Sequence, residues 1–281
     1  GAPFPVIIKK GDGGYNYSTS DLACIIDRVE RISCDELMYV VGTPQKQHFE
    51  MVFEVASRAG FMDERHTATH INFGSVLDSN GQMLKSRTGH SAKLVDLLKE
   101  SIIRADSAIS EKNPELIGEN KARISKMIGI GAVKYADLST DRSKDYVFDW
   151  DKMLSFEGNT APYLQYAYTR VKSLFRKAGV DMATMPVDIN IAEKQEHALA
   201  VLLMQFEEVI GTVSREATPH VLCTYLYDVA SAFMSFYEAC PMLKDGIEPA
   251  VRDSRLALSA LVAKTLEQGL TLLGIETLEK M

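Results

Sequence analysis

Tyr17 and Asp21 stand four residues apart where the turn-forming GDGG at 11–14 gives way to a helical pattern. A phenol and a carboxylate therefore share one helix face and can meet the same small ligand. A carboxylate presented this way suits a guanidinium. Asp21 also fits a capping box with Ser18, three residues earlier, and from these residues alone both readings stand. Gln45 comes just after the apolar run Leu37 to Val41, where open α/β sheets place their ligands, and reads equally as an ordinary first-turn helix residue. His48, one turn further on, is either a ligand contact or a satisfied polar side chain. Lys85, Ser86 and Arg87 make a basic loop after a strand. A lysine there can offset charge on transferring phosphates, or can simply be solvated. His66 and His70 have the i, i+4 spacing of a metal pair but lack the glutamate of HExxH, and no metal site is expected. GDGG lacks the spacing of a phosphate loop and reads as a tight turn.

A second group of candidates lies further on. The segment from Tyr163 to Lys177 carries Arg170, Lys172, Arg176 and Lys177 with four aromatics and no acid. Leu164, Tyr168, Val171 and Phe175 recur at helical spacing and predict a core-facing stripe. Tyr163, Tyr166, Arg170 and Lys177 fall on another face, where rings beside cations suit stacking on unpaired bases and contact with phosphates. A solvated helix face explains them as well.

The elements that must hold these residues change class along the chain. Val6 to Ile8 reads as a strand, Ser18 to Ile32 as a helix, Leu37 to Val41 as a buried strand, Gln45 to Ala59 as a helix and Ile71 to Leu77 as a third strand. A helix begins near Leu94, and no comparable strand signal follows. Helices are expected near 163–178, 192–216, 219–240 and 250–273, with Thr218–Pro219 as a start and Gly274 as a stop. The Gly, Pro and Asp-rich stretch 145–162 is the best candidate joint.

Composition narrows the function classes. The 281 residues are 46% hydrophobic and 25% charged, as in a water-soluble globular protein. No apolar run approaches the ~20 residues of a membrane span, and GAPFPVIIKKGDGG has no signal-peptide pattern, so a cytoplasmic protein is expected. Cys24, Cys34, Cys223 and Cys240 form no CxxC pair and predict reduced thiols. A net charge of −7 disfavours nonspecific coating of nucleic acid but leaves room for one basic patch.

Taken in order, DGGYNYSTSDLA, MYVVGTPQKQHF, INFGSVL with MLKSRTG, IGIGAVKYADLS, FDWDKMLSFEGNTAPYLQYAYTRV and LLGIETLEKM resemble a bacterial arginyl-tRNA synthetase, a class I enzyme, over essentially the whole chain. The resemblance implies a partial Rossmann-like α/β catalytic domain followed by an all-α helical bundle that binds the anticodon. It divides the chain into 1–100, a helical connection at 101–158, and 159–281. It implies that Tyr17, Asp21 and Gln45 bind arginine and that His48, Gly74 and Lys85 serve ATP, with Lys85 the catalytic cation. It further implies that Tyr163, Tyr166, Arg170, Tyr237 and Met281 meet tRNA. Lys85 matches the second lysine of a KMSKS-like loop, and Met83 stands where the pattern has a basic residue. The implied partners are tRNA(Arg), L-arginine and ATP with Mg²⁺, for a monomer that activates arginine and transfers it to tRNA. The HxGH motif of this class occurs nowhere in the 281 residues. The chain is therefore expected to be a piece of a longer enzyme, inactive alone. The alternatives are a non-catalytic tRNA-binding module, or a helical protein-interaction domain that would leave Tyr17, Asp21 and Gln45 idle.

Overall fold

The computed structural model describes residues 6–84, 93–184 and 188–280. They form two compact units: Gly1–Ser75 with Ser143–Asp145, and Val76–Arg142 with Tyr146–Met281.

In the first unit, α1 (Tyr17–Ile26) starts at Asn16, whose extended backbone and side chain cap the helix by accepting the Thr19 amide at 3.2 Å. The capping-box reading of Ser18 and Asp21 is therefore overturned. Ser18 already lies inside the helix and is buried, which leaves the Asp21 carboxylate for other work. Beyond Ile26 the chain widens into a π turn, Asp27–Arg31, where an uninterrupted helix to Ile32 was expected. β1 (Glu36–Gly42) passes through a short 3₁₀ turn, Thr43–Gln45, into α2 (Lys46–Arg58), and β2 (Thr67–Phe73) returns parallel to β1 with Leu37 opposite Ala68 and Val41 opposite Asn72. A parallel return needs a crossover, and α2 supplies it. Leu22 and Ile25 of α1, Leu37 and Tyr39 of β1, and Phe49, Val52 and Ala56 of α2 make the core of this unit.

Three expectations about strands change. Val6 to Ile8 is not a strand: among the described residues no strand pairs with it, and the Ile8 carbonyl accepts the Thr19 hydroxyl instead. β1 is covered on one face only: Leu37 and Tyr39 are buried, while Met38 and Val40 are 51% and 67% exposed. The run 71–77 is two strands. β2 begins four residues earlier and ends at Phe73, and β3 (Val76–Leu77) belongs to the second unit, where it pairs with β4 (Tyr146–Val147). A two-residue strand is too short to show alternation, so β4 left no periodic signal.

The second unit is helical. α3 (Leu94–Lys112) and α4 (Gly118–Leu138) pack so closely that a Cβ on Gly129 would lie 2.7 Å from the Ser101 carbonyl oxygen. A short helix, α5 (Trp150–Met153), leads to α6 (Ala161–Ala178), which is capped by the Thr160 side chain on the Tyr163 amide at 3.2 Å and closed by Gly179 at φ 66°. α7 (Lys194–Met204), α8 (Phe206–Glu216), α9 (Pro219–Ala239) and α10 (Pro249–Leu272) complete a bundle. The helix expected over 192–216 is broken at Gln205. The Tyr225 hydroxyl donates to the Leu202 carbonyl at 3.0 Å, and the Gln205 amide takes the same carbonyl in a tighter turn. The predicted stripe of α6, Leu164, Tyr168, Val171 and Phe175, is buried throughout. After α10, Ile275 and Leu278 are buried, and the Gln165 side-chain amide donates to the Glu276 carbonyl at 2.8 Å. No helix among the described residues is long and apolar enough to cross a membrane.

One buried charge pair ties the bundle together. Glu196, 3% exposed, accepts the Ala192 and Glu193 amides at 2.8 and 2.9 Å and the Arg255 guanidinium at 2.7 Å. Burial works to raise the carboxyl, but the two amides and Arg255 outweigh it and hold Glu196 below its ordinary 4.5. A depressed carboxyl stabilises the fold above its unfolded value and loses that contribution as the pH falls through the folded one. Glu196→Gln should therefore cost about 3 kcal/mol at pH 7. In urea unfolding at a series of pH values, its difference from the wild type should shrink as the pH drops below 4.5.

Candidate functional site

The first unit gathers its chemistry at the carboxyl ends of β1 and β2, the edge where parallel sheets place ligands. Side chains hold this edge together: the Thr43 hydroxyl donates to the Phe73 carbonyl at 3.0 Å, and the Asn72 amide donates to the Thr43 hydroxyl at 3.1 Å. α2 leaves from here. Gln45, its N-cap, is exposed, and its side chain makes no capping hydrogen bond.

Three residues later, His48 meets α1. Its Nε2 lies 2.6 Å from Asp21 Oδ2, and since an ionised carboxylate only accepts, Nε2 carries the proton. The imidazole is 10% exposed, with its ring 4.7 Å from that of Tyr17 and 5.0 Å from that of Phe49. Tyr17, Asp21 and His48 therefore form one cluster, with Tyr17 68% exposed at its mouth. The i, i+4 face of Tyr17 and Asp21 is as the spacing predicts, whereas their junction with His48 across two helices is new. Phe49 continues the floor to His70, whose Nε2 donates to the Val41 carbonyl at 2.9 Å. His66 instead accepts the Asp63 amide at 3.1 Å, so the two imidazoles have separate partners.

Gly74 is placed by sterics. A Cβ there would lie 2.4 Å from the Lys144 carbonyl oxygen and 2.8 Å from the Asp145 nitrogen, and the neighbouring Ser75 amide donates to the Asp145 carboxylate at 2.6 Å. Its close partner is backbone, a constraint that the sequence reading did not foresee. Lys85 and Met281 lie outside the described residues.

The second unit carries a groove of about 360 Å³ between α6 and α9, lined by Tyr166, Arg170, Arg176, Lys177, Tyr237 and Lys280 among others, with no acidic side chain among the described lining residues. The Arg170 guanidinium lies 5.2 Å from the Tyr166 ring and 5.1 Å from the Tyr237 ring, near enough for cation–π attraction to both. Tyr163 does not join them; it is half-buried with its ring 5.6 Å from that of Tyr227. Of the basic segment, Lys172 is also spent elsewhere, on Glu279 at 3.0 Å. Lys280 was missed because its arrival depends on how the chain end folds back. Tyr166 and Thr169 also line a second groove, of about 470 Å³, with Phe156 and Lys112, whose ammonium lies 4.0 Å from the Phe156 ring centre. Neither residue was singled out in sequence. A smaller cavity of about 200 Å³, lined by Tyr135, Tyr146 and Lys152, holds none of the predicted residues.

Residues 1–150 match the family model of class I tRNA synthetases (R), catalytic domain, and residues 164–281 match the DALR anticodon binding domain. The chain belongs to the arginyl-tRNA synthetase family. The arginine–tRNA ligase of Alteromonas mediterranea is 66% identical over the whole of this chain and 49% of its own length. Among solved structures, the arginyl-tRNA synthetases of Plasmodium falciparum and Thermus thermophilus align with TM-scores of 0.86 and 0.85 at 28% and 27% identity. They cover 100% and 98% of this chain and 48% and 51% of their own. The chain spans about half the length of the curated relatives it matches. The class I synthetase family that residues 1–150 match uses ATP.

The Gly74 contact gives a direct test of its steric role. Gly74→Ala should destabilise the first unit by about 2 kcal/mol, since the colliding atoms are backbone and cannot rotate away. Hydrogen exchange of the β1 and β2 amides would report that loss locally.

Proposed function

We propose that this chain contributes the arginine-recognising edge and the tRNA-gripping bundle of an arginine–tRNA ligase. The observation that carries the reading is the cluster of Tyr17, Asp21 and His48 at the carboxyl edge of the parallel pair, with Gln45 exposed beside it. A fixed carboxylate next to an aromatic ring suits a planar cation, and the guanidinium of L-arginine is one. The arginine carboxylate attacks the α-phosphate of ATP and expels pyrophosphate; the 3′-terminal hydroxyl of tRNA(Arg) then takes the arginyl group from the adenylate as an ester, and AMP leaves. Positioning and charge stabilisation govern such a step, and no nucleophilic side chain of the chain is needed. We assign Lys85 to the phosphates and the Gly74 region to the adenine, with Mg²⁺ entering as the ATP complex and neutralising phosphate charge. The same proposal has the protein act as a cytoplasmic monomer.

The cationic groove of the second unit is the surface we assign to the anticodon loop. Bases stack on tyrosine rings at about 1 to 3 kcal/mol each, and cations meet the phosphates. Because Arg170 sits against Tyr166 and Tyr237, it serves both as a charge and as a support for the rings. The resemblance also places Tyr163 and Met281 on tRNA; the Tyr163 ring is packed on Tyr227, and Met281 lies outside the described residues.

Two measurements test the reading. In the protein at its full natural length, Asp21→Asn should cost about 2 to 5 kcal/mol in arginine recognition, the scale for removing one partner of a desolvated charge contact. Unchanged arginine kinetics in the pyrophosphate exchange assay would remove Asp21 from the site.

Gel shifts with tRNA(Arg) across salt concentrations examine the groove. Tyr166→Ala should weaken binding with little change in salt slope, whereas Arg170→Ala should also lower the log–log slope by about one. Arg170→Lys should keep the slope while losing affinity, since an ammonium stacks poorly between rings. If all three variants bind like the parent, the groove is not the RNA surface.

A further inference from the structure

Building on the arginine reading above, we propose that His48 is a positioning residue for arginine, acting through Asp21 and Tyr17. Asp21 lies on a partly exposed turn of α1, where a carboxylate has several rotamers open to it. Freezing one of them on ligand binding costs affinity, and a bond made beforehand removes much of that cost. The His48 Nε2–H makes such a bond. It holds Oδ2 at 2.6 Å and leaves the second carboxylate oxygen outside the contact. The imidazole is itself held. It is 10% exposed, lies against the rings of Tyr17 and Phe49, and grows from the first turn of α2, directly behind the end of β1. One side chain thus ties the carboxylate and the phenol of α1 to the sheet edge that carries Gln45.

A second role for the ring would be a direct contact with the nucleotide, the side on which the family resemblance puts it. The geometry points away from that, because Nε2 is engaged by a residue that itself faces the amino acid. The donor to Asp21 must also be neutral to be useful: an imidazolium beside the carboxylate would compete with the guanidinium for the same negative charge. What the site needs from position 48 is therefore an uncharged N–H at the Nε2 position, which a glutamine amide can also supply.

The test uses the protein at its full natural length, with KM for L-arginine and for ATP measured separately by pyrophosphate exchange, and with the thermal midpoint recorded for each variant. His48→Leu, which keeps bulk and removes the donor, should raise the arginine KM at least tenfold and leave the ATP KM within about twofold. His48→Gln should restore the arginine KM to within about threefold of the parent. An arginine KM unchanged in His48→Leu overturns the proposal, as does a rise confined to the ATP KM. A His48→Gln variant as impaired as His48→Leu also overturns it, because the donor would then not be what matters. A thermal midpoint that falls equally in both variants while only the glutamine restores arginine recognition supports it, since lost packing alone would not be rescued by an amide. Failure of the underlying reading looks different: Asp21→Asn would then leave the arginine KM unchanged, whatever His48→Leu does.

Discussion

Two parallel strands cannot be joined by a tight turn, and most of the first unit follows from that constraint. The chain must leave β1 at its carboxyl end, cross over, and re-enter at the amino end of β2. The crossover is α2, so its first turn has to stand at the edge where β1 stops. Gln45 and His48 sit there for that reason. The core residues Phe49, Val52 and Ala56 fix the rotation of α2 on the strands, which turns His48 toward α1. α1 in turn is oriented by Leu22 and Ile25 in the same core, with Asp21 next to Leu22 in sequence and on the edge of the buried stripe. The apolar packing thus sets the positions from which a polar contact of 2.6 Å becomes possible.

In the second unit the comparable constraint is the anchoring of the returning chain end on α6 and on the α3–α4 pair. Gln165 is fully buried on α6, and its amide reaches the Glu276 carbonyl of the returning chain end. The Arg176 guanidinium donates to the Glu279 carbonyl at 2.9 Å, and Lys172 pairs with the Glu279 carboxylate. Ile275 fills the bundle core, and Leu278 fills a second core with Ile109, Ile124 and Ile128 of α3 and α4. These contacts bring Lys280 beside Arg170 and Lys177, so the charge of the groove depends on side chains that are distant in sequence. The basic segment of α6 is divided by the same contacts: Lys172 and Arg176 brace the chain end, while Arg170 lies between two rings.

Among the described residues, the groups that burial shifts most lie within the second unit. The carboxyl most clearly raised by burial is Asp137, which shares a hydrogen bond with Tyr146. The phenol of Tyr135 is raised strongly by burial, and its hydroxyl donates to the Cys223 carbonyl at 2.8 Å. These groups belong to the packing between α4, β4 and α9.

Local periodicity determined most of the helices, though not the breaks at Asp27 and Gln205, together with the α/β opening, the buried stripe of α6 and the shared face of Tyr17 and Asp21, because each depends on residues within a turn or two of one another. The order of the motifs determined the family, since a long string such as 148–171 is specific without any knowledge of contacts. Tertiary structure decided what each polar side chain touches. Asp21 and Ser18 match a capping box in sequence, yet the helix starts at Asn16 and the carboxylate goes to His48, 27 residues away. Tyr163 and Tyr166 look equivalent on a helical wheel, yet one packs on Tyr227 and the other meets Arg170. Gly74 owes its identity to the backbone at 144–145, some seventy residues on. Periodicity reports which face of an element is apolar, and that is a property of the element alone. The partner of a polar group is chosen by whichever elements the core packing brings against it, which no local pattern encodes.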